Sequence, residues 1–159
     1  MTQSWRHFPY CKIIHVHDGD TPDVIEVDQG FGQAKRDLDV RLYGSSAPEI
    51  TGREKAWGLI ALDYASRWTG QEVELWTLKD RNWKDVRTFV RYVACIVGKN
   101  GADFSLQLIE VGLAKAWDYG KEPRPIFTEF PVADPVSEVA KYRRIMEREF
   151  RPLLDMEAT

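Results

Sequence analysis

The stretch Cys11-Lys12-Ile13-Ile14-His15-Val16-His17-Asp18-Gly19-Asp20-Thr21 sets the architecture of this chain. From Cys11 to His17 it alternates around the β-branched residues Ile14 and Val16, then stops at an Asp-Gly turn, which is how a strand enters a tight reversal. Alternation turns Ile14 and Val16 toward a core and His15 and His17 toward water. A second strand follows from Asp23 to Asp28. Gly30-Phe31-Gly32 turns the chain, and Leu38, Val40 and Leu42 mark a third strand that runs into the loop Gly44 to Pro48.

Beyond that loop, Thr51 with Glu54 three residues later has the spacing of a capping box, opening a helix that Gly70 can close. Its apolar face is Trp57, Ile60, Ala61, Tyr64 and Trp68. Gln71 to Thr77 and Arg87 to Val97 read as two more strands, and Asp103 as the cap of a short helix stopped by Gly112. Residues 120–135 hold prolines at positions 123, 125, 131 and 135 and read as an irregular surface segment. Asp134-Pro135 then starts a last helix, with Val139, Tyr142, Met146 and Phe150 on one side and Arg151-Pro152 at its end. Three strands, a helix, two strands and two helices predict an α+β domain spanning residues 1–159 with a β-barrel core. The expected form is a five-stranded barrel of the OB type with about three packed helices.

Composition is that of an ordinary globular chain: 159 residues, 43% apolar and 30% charged. No stretch reaches transmembrane length, and Met1 to His7 lack the apolar run of a secretory signal, so a cytoplasmic protein is expected. Cys11 and Cys95 are too few for a disulfide framework and read as small buried apolar residues. A net charge of −3 excludes a broad positive field, so any contact with nucleic acid must come from a few cations in a cleft.

Two pieces carry chemistry. Asp18-Gly19-Asp20-Thr21 and Arg41-Leu42-Tyr43-Gly44-Ser45-Ser46-Ala47-Pro48-Glu49 supply carboxylates for a divalent cation, an arginine for a phosphate and a glutamate to activate water, the set that phosphodiester cleavage needs. Together with Arg87-Thr88 and Gly112-Leu113-Ala114-Lys115 in the same order, they make residues 11–117 resemble the staphylococcal nuclease (thermonuclease) family. Residues 118–159 diverge from it.

The resemblance implies a nuclease that hydrolyses DNA or RNA phosphodiesters by metal-assisted attack of water. It assigns Arg41, Glu49 and Arg87 as catalytic, Arg41 and Arg87 holding phosphate and Glu49 accepting a proton from water. Asp20 becomes the metal ligand and Asp18 supports it. The cofactor is a divalent cation, Ca²⁺ first, with Mg²⁺ or Mn²⁺ as alternatives, and no small-molecule cofactor or membrane partner is implied. The chain departs from the family at Ser46, where the pattern has a second metal-binding aspartate; a neutral hydroxyl there lowers cation affinity. Val86 replaces a glycine before Arg87, and Trp83-Lys84-Asp85 alters the lead-in, which leaves Lys84 as a candidate substrate contact.

Three further readings remain open. Trp117 and Tyr119 could stack a base or simply pack in the core. Asp39, on the face of Arg41, could pair with it or substitute as a ligand. His15 and His17, with Asp18 or His7, could bind zinc. The rival to an enzyme is an OB module that binds nucleic acid or a protein after losing its metal at Ser46.

Overall fold

The structure is a computed structural model that describes residues 4–27, 37–88 and 91–149. Asp28, the turn at Gly30-Phe31-Gly32, Phe150 and the Arg151-Pro152 stop lie outside the described residues. The strands are β1 (Ser4–Val16), β2 (Pro22–Glu26), β3 (Asp37–Leu42), β4 (Ser45–Ser46), β5 (Glu72–Lys79), β6 (Arg87–Thr88), β7 (Arg91–Gly98) and β8 (Lys115–Ala116). The helices are α1 (Lys55–Ala65), α2 (Phe104–Glu110) and α3 (Pro135–Glu149). None of the helices is long and apolar enough to cross a membrane among the described residues.

The α+β architecture is organised by one sheet that closes on itself. Antiparallel pairing joins β3 to β2, β2 to β1, β1 to β5 and β5 to β7, and a parallel pairing of β3 with β7 completes a ring of five strands. Leu38, Val40 and Leu42 point inward from β3, and Val24, Leu75 and Ile96 join the fully buried set. Cys11 and Cys95 are buried and unpaired, and desolvation pushes the Cys11 thiol up to about 12.

The first strand departs from simple alternation. Ile13 is wholly buried while Ile14 is 43% exposed, because the pairing of β1 with β2 shifts between Ile13 and His15. An extra residue at such a bulge reverses which side chains face in. Val16 is buried, and His15 and His17 remain exposed.

The first helix also starts differently from the capping-box expectation. Thr51 makes no side-chain cap bond, and a short 3₁₀ turn, Gly52–Glu54, leads into α1. The buried face of α1 is Gly58, Ala61 and Ala65, whereas Ile60 is exposed. Trp68, just past the helix, is buried against Phe104, and Trp57 stacks on Phe130. Asp103 does cap α2, accepting from the Leu106 N–H, and Asp134 accepts from the Ser137 N–H at the start of α3. Tyr142 of α3 is buried and donates to Asp103 at 2.6 Å, tying the last helix to α2.

Residues 120–134 are irregular as expected, yet they are not confined to the surface. Phe127 and Val132 are buried, and the segment packs across the loop that follows β4.

Candidate active site

The Asp18-Gly19-Asp20 turn builds one wall of the site by local chemistry. Asp18 Oδ1 accepts from the Thr21 hydroxyl at 2.5 Å and from the Asp20 N–H at 3.2 Å, which folds the turn and aims Asp20 inward. The Asp20 carbonyl accepts from the Leu42 N–H at 3.0 Å, fastening the turn to the end of β3. Gly19 permits this approach, since a Cβ there would lie 2.7 Å from that of Ala47. Asp20 Oδ2 in turn accepts from the Ala47 N–H at 2.8 Å.

Arg41 enters from β3. Its Nη2 lies 3.2 Å from Asp20 Oδ2 and donates to Ser46 Oγ at 3.4 Å, and its guanidinium faces the Trp117 ring at 5.2 Å. The buried Arg41 Nε has no hydrogen-bond acceptor among the described residues. Ser45 and Ser46 point opposite ways along β4: Ser45 donates to Ser105 on α2, and Ser46 faces Arg41. One nitrogen of Arg41 therefore sits between Asp20 and Ser46, and the oxygens of Asp18, Asp20 and Ser46 are of the hard type that could hold a divalent ion. Burial pushes the Asp20 carboxyl well above the carboxylate range, against the pull of Arg41. Burial also raises Asp18, but hydrogen bonds from Asp20 and Thr21 outweigh it and hold Asp18 below its ordinary value.

The opposite wall comes from the irregular segment before α3, and sequence reasoning missed it. Arg124 donates to the Ala47 carbonyl at 2.8 Å and to Glu54 Oε1 at 2.9 Å, while its Nε stands 3.3 Å from Glu49 Oε1. Glu54 is thereby drawn away from helix capping. It accepts from the Glu49 N–H at 3.1 Å, and Arg124 holds its carboxyl below the ordinary value despite burial. Glu49 is fixed from below as well: a Cβ on Gly58 of α1 would come within 2.1 Å of the Glu49 carbonyl, so only glycine lets the helix pass. No local sequence signal marks Arg124, which lies 70 positions from Glu54.

The structure divides the arginines of residues 87–91 between two faces. Arg87 pairs with Tyr92, donates to its hydroxyl and lies over its ring at 4.2 Å. Tyr92 is opposite Val40, which faces the interior, whereas Arg41 is opposite Val93. Alternation along β7 then puts Arg91 with Val93 on the face of Arg41. The Arg91 side chain makes no hydrogen bond or ion pair among the described residues, and the signal that finds it is this register.

The other candidates disperse. Lys84 is exposed in a turn whose N–H donates to Asp80 at 3.0 Å. Tyr119 packs against Tyr43 and Trp117, so Trp117 is the ring that reaches the site. Asp39 stands opposite Asp23 and makes no ion pair with Arg41 among the described residues. His7 stacks on Trp76 and pairs with Glu74, and His17 bonds Asp23 at 2.7 Å, so the grouping of histidines with Asp18 or His7 does not form. A scan against protein-family models matches none of them to this chain, and a search of curated proteins finds no significant match.

Proposed function

We propose that the protein is an OB-type nuclease that hydrolyses DNA or RNA phosphodiester bonds by attack of water in the cleft between the Asp18–Asp20 turn and the Ala47–Glu49 loop. The observation that carries this reading is the position of Arg41, a buried guanidinium between Asp20 and Ser46 with one N–H unspent. A planar cation with free donors at the end of a strand suits a phosphate oxygen. The strand order, five strands in a ring with the third parallel to the fifth, agrees with an OB barrel.

In this reading Arg41 binds the scissile phosphate, and a second arginine meets the charge that develops on it. The family resemblance puts Arg87 in that role; the strand face favours Arg91. Glu49 takes a proton from the attacking water as the new P–O bond forms and the leaving oxygen departs. Asp18, Asp20 and Ser46 would hold a divalent cation, which supplies Lewis-acid polarisation of the phosphate. Ser46 contributes no charge, so binding there is weak and competes with Arg41 for Asp20.

The test is a cleavage assay on single-stranded DNA and RNA with Ca²⁺, Mg²⁺ or Mn²⁺. Wild type is expected to cut, and Glu49→Gln to cut on the order of a hundredfold more slowly with an unchanged far-UV spectrum. A second reading, a binding module without catalysis, is favoured by the Glu49–Arg124 pair, which engages the proposed base. It predicts oligonucleotide binding without cleavage in every cation.

A further inference from the structure

A second cluster of ligating atoms lies outside this cleft, on the sheet surface where β1, β2 and β3 meet. His17, Asp23 and Asp39 each offer one ligand atom, and these atoms all lie within 4.8 Å of one another. Asp23 and Asp39 are direct cross-strand partners in the β2–β3 pairing, so two rigid strands hold their carboxylates face to face. His17 Nε2 closes the group at 2.7 Å from Asp23 Oδ2. Like charges placed opposite each other across strands destabilise a sheet unless something positive lies between them.

Among the described residues His17 alone stands against these carboxylates. Neither carboxylate has an arginine or lysine partner there, and Asp23 Oδ1 is sealed from solvent with no hydrogen-bond donor. This sealed oxygen belongs to a side chain that is 16% exposed, and it separates the group from a fully solvated acidic patch. A buried oxygen without a donor is costly, and a cation satisfies it at once.

We propose that His17, Asp23 and Asp39 form a binding site for a first-row divalent metal of the zinc type. One imidazole nitrogen with two carboxylate oxygens is a borderline donor set, better suited to Zn²⁺ than to Ca²⁺, which takes six to eight oxygens. Three protein ligands leave a fourth position, and the half-exposed His17 ring opens that position to water. The imidazole coordinates through Nε2 in its neutral form, exchanging its hydrogen bond to Asp23 for the metal. The site needs neither the Asp20 cleft nor nuclease activity, so it stands or falls separately from the proposed function.

The experiment is calorimetric titration of the full chain with ZnCl₂, alongside CaCl₂, with His ring NMR as a second readout. Wild type is expected to bind one Zn²⁺ with His17 ring signals shifting and those of His7 unmoved. Asp39→Asn and His17→Ala should each weaken binding more than about tenfold, the loss that even disturbing a neighbour of a ligand brings. Glu49→Gln, which alters the other cleft and keeps the far-UV spectrum, should leave Zn²⁺ affinity unchanged. A zinc-induced rise in melting temperature, present in wild type and lost in Asp39→Asn, checks the same point without assuming identical folding. Absence of zinc binding, binding that survives both variants, or binding abolished by Glu49→Gln overturns the proposal.

Discussion

Two acidic clusters stand a few residues apart, and they are built on opposite plans. Around Asp18 and Asp20 the negative charge is answered from within the protein, by Arg41, the Ala47 N–H and the Thr21 hydroxyl. Around Asp23 and Asp39 it is answered by one histidine and otherwise left open. The first is buried and completes a loop; the second lies on a strand pair that would hold its shape without it. Removing a carboxylate should therefore have opposite effects in the two places, a difference that counting acidic residues would never show.

The largest effect should come from Asp20→Ala. It strands Arg41, which cannot give up its proton, in a site where its side chain is 11% exposed. Breaking such a buried pair costs about 3 to 5 kcal/mol, and chemical denaturation should find the variant close to unfolding. Arg41→Ala should cost less, since Asp20 can neutralise itself by taking a proton. Equal losses in the two variants would mean that the pair, not the stranded charge, sets the cost.

Glu54→Gln comes next and tests the wall opposite. The folded protein holds the Glu54 carboxyl below its ordinary 4.5, so the unfolded chain takes up the proton first. Its contribution is complete above about pH 4.5 and is lost as pH falls through the lower folded value. Wild type should exceed Glu54→Gln by about 2 kcal/mol at neutral pH, the scale of a hydrogen bond to a charged group, with the gap closing in acid. A gap independent of pH would show that Arg124 gains nothing from the charge on Glu54. Asp20 is shifted upward and has the opposite sign, so the difference between the two proteins, and not the raw acid melt, is the quantity to measure.

Ser46→Asp should tighten Ca²⁺ binding about tenfold in calorimetry, because ligand charge tunes affinity over orders of magnitude. Unchanged binding would mean that Arg41 keeps its hold on Asp20. The smallest effect belongs to the second cluster: in metal-free buffer Asp39→Asn should stabilise the protein by up to about 1 kcal/mol, by removing a like charge across the strands. A loss of stability there would erase the contrast between the clusters.

The features legible in the sequence are those whose causes are local. The Asp18 to Thr21 turn closes through bonds between residues two and three apart, Leu38, Val40 and Leu42 need only alternation, and Asp134 reaches the third residue beyond it. The features that escaped it depend on distant partners. Ile13 and Ile14 exchange places because β2 pairs with a bulge in β1. Thr51 and Glu54 have the letters of a capping box, but Arg124 takes the carboxylate first. Arg91 is separated from Arg87 by which face each shares with β3, a relation that exists only once the strands have met.

The parallel seam between β3 and β7 also dictates when the cleft can exist during folding. Val40 meets Tyr92 across 52 intervening steps of chain, whereas β1 and β2 can form a hairpin on their own. Long-range parallel contacts bear a larger loop-closure entropy and form slowly. Arg41 and Arg91 stand on the two strands of that seam, so they are brought onto one surface only when the ring shuts. A half-folded chain carries the acidic turns but not the joined strands, so the cleft should appear late, together with the final closure.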